Sequence, residues 1–195
     1  MALQEKQKSD QPFLTDMKEI QRRAREHVER GAVTSAYRGE LQTAIKLLNE
    51  ALATELVCVL RYKRHQYMAA GIHSQSVAAE FAEHAQEEQA HADWVAERIR
   101  QLGGAPDFSP QGLLTRSHSQ YVEGDSLVDM IKENLIAERI AIDSYMEMAR
   151  WFGENDPTSR RLMERILEQE EEHAEDMATL LETVDGRSAS PAEVH

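Results

Sequence analysis

A chain of 195 residues with 41% hydrophobic content can close one full core, and only five prolines and nine glycines interrupt it, which points to an all-α protein of one domain. A net charge of −13 excludes a general affinity for nucleic acid or anionic lipid. The lone Cys58 excludes an internal disulfide and reads as a small core hydrophobe, and no apolar run approaches the length of a membrane span.

Residues 1–14 are polar, lack the apolar region of a signal peptide and are expected to be mobile, so the expected compartment is the cytoplasm. With Thr15 as N-cap, the pattern predicts a short amphipathic helix to Gly31. Met17, Ile20, Ala24 and Val28 lie on one side and Arg22, Arg23, Arg25 and Arg30 on others. Such a helix packs on its own bundle or on a neighbouring subunit. Residues 1–38 thus form a tail and helix, 39–186 the main bundle, and 187–195 a loose C-terminal tail.

The first long helix is predicted from near Gly39 to Ala70, with Gly71 as its stop. Its stripe at steps of three and four is Leu41, Ile45, Leu48, Leu52, Glu55, Val59 and Tyr62. After a turn through His73, a second helix runs from near Ser76 to Leu102, with Val77, Phe81, His84, Glu88, His91, Val95 and Leu102 on one face. So short a link makes the two antiparallel neighbours. Residues 104–124, containing Pro106, Pro110, Gly112 and Gly124, are long enough to cross the length of a bundle, with a short helix near 113–121. The third helix starts at Asp125 or Ser126 and ends before Gly153, with Leu127, Ile131, Leu135, Glu138, Ile142 and Tyr145 in its stripe. The fourth opens with Asp156-Pro157, an N-cap followed by proline at the first helical position, and stops at Gly186. Its stripe is Met163, Ile166, Glu170, His173, Met177, Leu180 and Val184.

Two of these stripes carry Glu-x-x-His, Glu88 to His91 and Glu170 to His173, which places each pair on one helix face about a turn apart. The other two each carry one acid, Glu55 and Glu138. The offsets repeat: from Glu55 to Tyr62, Glu88 and His91 they are 7, 33 and 36; from Glu138 to Tyr145, Glu170 and His173 they are 7, 32 and 35. Two helical hairpins related by a pseudo-two-fold axis follow, with six ligand-type side chains inside one bundle.

Four buried carboxylates repel one another, and desolvation costs several kcal/mol per ion. Two divalent cations balance them and leave two neutral imidazoles as further ligands. Carboxylates with imidazole and no thiolate suit iron, with manganese as the alternative, better than structural zinc. Such a pair suits redox chemistry with dioxygen or peroxide. By symmetry Glu55 and His91 serve one metal, Glu138 and His173 the other, and Glu88 and Glu170 bridge. Tyr62 and Tyr145 are hydrogen-bonding partners of the ligands or electron donors. Glu87, Glu171, Glu172 and Glu175 read as a solvated face. His84 breaks the repeat, since its counterpart is Ile166, and reads as a core or channel histidine rather than a seventh ligand.

Over about residues 40–185 the chain resembles a bacterioferritin-type member of the ferritin-like superfamily, a four-helix bundle with a long crossover between helices 2 and 3. The Glu55 to Tyr62 spacing, Glu88-Gln89-Ala90-His91, Glu138 and Glu170 to His173 match that family's dinuclear ferroxidase centre. The resemblance implies oxidation of Fe(II) by dioxygen or hydrogen peroxide and storage of Fe(III) in a hollow shell, with two iron ions per chain. Bacterioferritins place a haem-ligating Met directly after the bridging Glu of the second helix; here Gln89 stands there, so haem is not expected. The long crossover, and a tail too short and polar for a fifth helix, resemble the Dps-like branch instead. A dodecamer with the N-terminal helix docked on a neighbour is therefore expected, with a 24-mer as the alternative. Competing functions are a diiron or dimanganese peroxidase, catalase or oxygenase, and a DNA-protecting shell using Lys6 and Lys8. The last is disfavoured by the net charge.

Overall fold

A computed structural model describes residues 16–71 and 74–184. Every regular element among them is helical: α1 (Met17–Arg23), α2 (Leu41–Met68), α3 (Ser74–Gln101), α4 (Leu113–Arg116), α5 (Leu127–Phe152) and α6 (Pro157–Val184), with a 3-10 turn at Val28–Arg30. Among the described residues no helix is long and apolar enough to cross a membrane. The chain divides into two units, Met1–Tyr37 and Arg38–His195.

In the first unit the continuous helix expected over 15–31 is not what forms. Helix α1 begins at Met17, where the Asp16 side chain accepts from the Lys18 backbone N–H at 2.7 Å, and it ends at Arg23. His27 then takes a left-handed conformation, φ 52°, before the 3-10 turn. The broken stripe explains this: Met17, Ile20 and Val28 are exposed, so no buried face holds the second half helical. Thr15, Lys6, Lys8, His73, Gly186 and residues 187–195 lie outside the described residues.

In the second unit α2 packs chiefly on α3 and α5 on α6, forming two antiparallel hairpins. Helix interiors free of Gly and Pro let each run for 26 to 28 residues. Alanines at the seams, Ala44, Ala51, Ala85, Ala92, Ala137 and Ala141, are all buried and bring the backbones close. Starts are capped as the sequence indicates: Ser126 Oγ accepts from Asp129 N–H at 3.2 Å, and Asp156 Oδ1 from Ser159 N–H at 2.9 Å. Arg98 ties the end of α3 to the start of α6, donating to Asp156 and Ser159 at 2.8 Å each.

The crossover between the hairpins runs the length of α2. Asn49 binds Ala105 O and Asp107 N–H, Thr54 Oγ1 accepts from His118 N–H at 3.0 Å, and His65 Nε2 donates to Val122 O at 3.1 Å. Residues 49 to 65 of a helix span roughly 24 Å. At its start Gly104 passes so close to α2 that a Cβ would lie 2.8 Å from Ile45 Cγ2. Arg61, fully buried, pins the middle: it donates to Asn134 Oδ1 on α5 at 2.8 Å, to Ser119 Oγ at 2.8 Å and to Gln120 O at 3.1 Å.

Candidate metal centre

Midway along the bundle the four long helices turn their polar interruptions toward one another. Helix α2 contributes Glu55, α3 Glu88 and His91, α5 Glu138, and α6 Glu170 and His173, none more than 3% exposed. They form two four-residue groups, Glu55, Glu88, His91 and Glu170, and Glu88, Glu138, Glu170 and His173, whose ligand atoms lie within 4.8 Å of one another. Glu88 and Glu170 belong to both groups.

Each shared carboxylate divides its oxygens between the groups. Glu88 turns Oε2 to His91 Nδ1 (3.5 Å) and Oε1 to His173 Nδ1 (3.6 Å). Glu170 turns Oε1 to His91 Nδ1 (3.0 Å) and Oε2 to His173 Nδ1 (3.4 Å). Glu55 Oε2 also faces His91 Nδ1, at 3.3 Å.

The remaining polar atoms are held from outside the cluster, and each hold crosses between hairpins. The Tyr62 hydroxyl donates to Glu138 Oε1 and the Tyr145 hydroxyl to Glu55 Oε1. His91 Nε2 donates to Gln169 Oε1 at 3.0 Å, and His173 Nε2 to Glu87 Oε2 at 2.9 Å. Glu87 is thus not simply part of a solvated face; it orients a buried imidazole, while Glu171, Glu172 and Glu175 are exposed. The signal for it was in the chain, since Glu87 and Gln169 each directly precede a shared Glu.

Inward, the described residues leave the cluster unsatisfied. Glu55 Oε2, both oxygens of Glu88, Glu138 Oε2, both oxygens of Glu170 and the Nδ1 atoms of His91 and His173 are buried without a hydrogen-bond partner. So many bare acceptors facing one centre fit cations, with each Nδ1 free as a ligand because its Nε2 carries the proton.

Without metal, protons must balance the charge. Burial raises the Glu55 and Glu138 carboxyls well above the usual 4.5, and repulsion from Glu88 and Glu170 adds to it. Burial also opposes ionisation of Glu88, but the facing His173 and His91 outweigh it and hold that carboxyl well below the usual range. Against burial, the carboxylates push His173 up to about 12, and His91 is raised above its usual value as well. Without metal, the Glu55 and Glu138 carboxyls and the His91 and His173 imidazoles are thus all shifted toward their protonated forms.

His84 lies in neither four-residue group. It is 2% exposed, its ring stacks on that of His173 with centroids 4.1 Å apart, and its Nδ1 is 3.1 Å from the Tyr62 hydroxyl. Burial, then the charge on His173, pushes its pKa down to about 4.

Comparison with known proteins agrees with this architecture. The ferritin-like domain family matches residues 45–186. A bacterioferritin of Desulfovibrio desulfuricans is 30% identical over 130 residues, covering 66% of this chain and 69% of the relative. Among solved structures, a dodecameric thioferritin, the bacterioferritin-related protein of Bacteroides fragilis, is 29% identical with a TM-score of 0.74, covering 80% of this chain and 94% of that one. The D. desulfuricans bacterioferritin, whose structure describes a diiron site in different catalytic states, is 26% identical with a TM-score of 0.67, covering 75% and 82%. Dps from Thermosynechococcus elongatus shares the fold at 21% identity and a TM-score of 0.70, covering 79% and 96%. With a bundle of two crossed hairpins, a paired carboxylate and imidazole cluster at its centre and a family match over most of its length, the chain belongs to the ferritin-like domain family.

Proposed function

We propose that this protein is a ferroxidase that oxidises Fe(II) with dioxygen or hydrogen peroxide at an intrasubunit dinuclear site and keeps the Fe(III) product inside a shell of its own copies. The observation that carries this reading is the set of buried, unpartnered ligand atoms shared between two positions by Glu88 and Glu170. Glu55 and His91 hold one position and Glu138 and His173 the other. Iron supplies the electrons, one from each Fe(II), and dioxygen or peroxide accepts them. Six buried side chains fix the spacing of the pair, Tyr62 and Tyr145 hold the outer carboxylates in place, and Glu87 and Gln169 set the imidazole tautomers. Manganese is the alternative metal for the same ligands.

The shell is proposed to be a dodecamer. The crossover along α2 and the likeness to a dodecameric relative support it, and the exposed Met17, Ile20 and Val28 would dock on a neighbouring copy. Twelve chains of 22.2 kDa give about 270 kDa, against about 530 kDa for 24, which light scattering separates.

The function is tested by aerobic addition of Fe(II) to the metal-free protein. Storage requires a fast rise in near-ultraviolet absorbance and soluble Fe(III) well beyond two ions per chain. Uptake that halts at two removes storage and leaves a dinuclear peroxidase, catalase or oxygenase.

A further inference from the structure

Beside the buried centre, on the face shared by α3 and α6, a second arrangement breaks the two-fold symmetry. His84 Nε2 points between Glu80 Oε1 and Asp176 Oδ2, 3.5 Å from each, and the three form a group able to hold a metal ion. The counterpart of His84 in the other hairpin is Ile166, so nothing about the dinuclear pair requires a polar residue here.

The direction of the hydrogen bonds fixes what His84 Nε2 can do. With Glu138 ionised, as it is when it holds a metal, the Tyr62 hydroxyl donates its one proton to that carboxylate, so toward His84 its oxygen accepts. His84 Nδ1 is therefore the protonated nitrogen. In a neutral imidazole that leaves Nε2 as a bare lone pair, and it faces two carboxylates, which are also acceptors. The Nε2 atom of a buried ring and two carboxylate oxygens thus converge on one point.

We propose that Glu80, His84 and Asp176 form a third metal site, distinct from the dinuclear centre, for a divalent first-row transition ion. The spacing suits it: ligand atoms about 2.1 Å from an ion are about 3.4 Å apart in a tetrahedron and about 3.0 Å apart in an octahedron. One imidazole and two carboxylates favour Fe(II), Mn(II) or Zn(II) over hard cations such as calcium. The side chains of Glu80 and Asp176 are 33% and 52% exposed, so the site opens to solvent and its remaining positions are filled by water. Burial, Asp176, Glu83 and Glu87 together hold the Glu80 carboxyl above its usual value, a sign of negative charge in surplus around it. On the ferroxidase reading, this is where an incoming Fe(II) first exchanges water for protein ligands, one imidazole stack away from His173.

The test uses Zn(II), which binds without turnover, in equilibrium dialysis against the metal-free protein. Wild type is expected to bind three ions per chain. Asp176→Asn and Glu80→Gln are expected to weaken the third by about tenfold or more and leave two unchanged. Glu170→Ala, which breaks both positions of the buried centre, retains one ion, and adding Asp176→Asn removes it. Saturation of wild type at two ions overturns the proposal, as does a third ion that survives Asp176→Asn. A wild type that binds one ion, lost in Asp176→Asn, upholds the outer site and overturns the dinuclear reading instead.

Discussion

Tyr62, on the first hairpin, hydrogen-bonds Glu138 on the second, rather than the acid on its own helix. Tyr145 returns the relationship to Glu55. Each outer carboxylate is thus aimed by a residue of the opposite hairpin. Tyr62→Phe is expected to keep the fold and weaken the metal at the Glu138 position by roughly 10-fold, and Tyr145→Phe to do the same at the Glu55 position. Anaerobic titration with Co(II) measures both. Equal weakening of both positions by either variant would contradict the crossed pairing.

The two kinds of ligand predict different stoichiometries. Glu88→Ala or Glu170→Ala removes a carboxylate common to both positions and should abolish tight binding of both metals. His91→Ala or His173→Ala should leave one metal per chain. Metal analysis after gel filtration separates these outcomes, and retention of both ions by Glu88→Ala would show that it does not bridge.

Glu87 and Gln169 differ in charge, so the two imidazoles differ in basicity. Glu87→Gln should weaken binding at the His173 position by about 10-fold, while Gln169→Glu should strengthen the His91 position. Competition with a chelator reports both shifts. Matching effects of the two substitutions would mean that charge at this place does not matter.

Metal and protons compete for the same atoms. Glu55 and Glu138 have raised folded pKa values, so the folded metal-free protein holds protons that the unfolded chain loses above about 4.5. His91 and His173 are raised too, so their contribution is full below 6.5 and fades as pH climbs toward the folded values. The two histidine terms make metal-free stability fall as pH rises above about 6.5, and the two carboxyl terms act in the same direction from about 4.5 upward. Divalent ions displace these protons, so the gain in Tm on anaerobic Zn(II) loading should grow over the same range, with proton release on loading seen in a pH-stat. A gain that shrinks with pH would reverse the assignment.

Arg61 offers a stability test away from the metals. Arg61→Ala leaves Asn134 and Ser119 without their donor and empties a buried site, so it should cost about 3 kcal/mol or more in denaturant unfolding. Faster proteolysis within the crossover should accompany the loss.

The six-residue cluster was legible because burying a charge is costly: Glu at a core step of a helix stands out against its apolar neighbours, and the repeat at matched offsets located its partners. The long crossover was legible from its prolines and glycines. What could not be read was direction across the bundle. Sequence spacing could not say which carboxylate Tyr62 meets, and packing hands it Glu138. Glu87 looked solvated because it stands in a polar run outside the apolar stripe, and only the approach of α6 gives it His173. Arg61 carried no periodic mark, and two of its partners, Ser119 and Gln120, lie on an irregular segment. Helix α1 was overextended, since its spacing suggested an apolar face that finds nothing to cover it in the chain's own first unit.

Neither hairpin owns a complete set of ligands. The Glu55 position draws Glu170 from the other hairpin, and the Glu138 position draws Glu88. An ion in either place is consequently a clasp between the two halves of the bundle. On the proposed function, sliding or parting of the hairpins by a few ångströms would open both clasps together, so that loss of metal and bundle loosening would be one event. A chain cut within the crossover, near the exposed Phe108 and Gln111, should then yield two fragments whose reunion depends on metal, turning the centre into a chemically controlled latch.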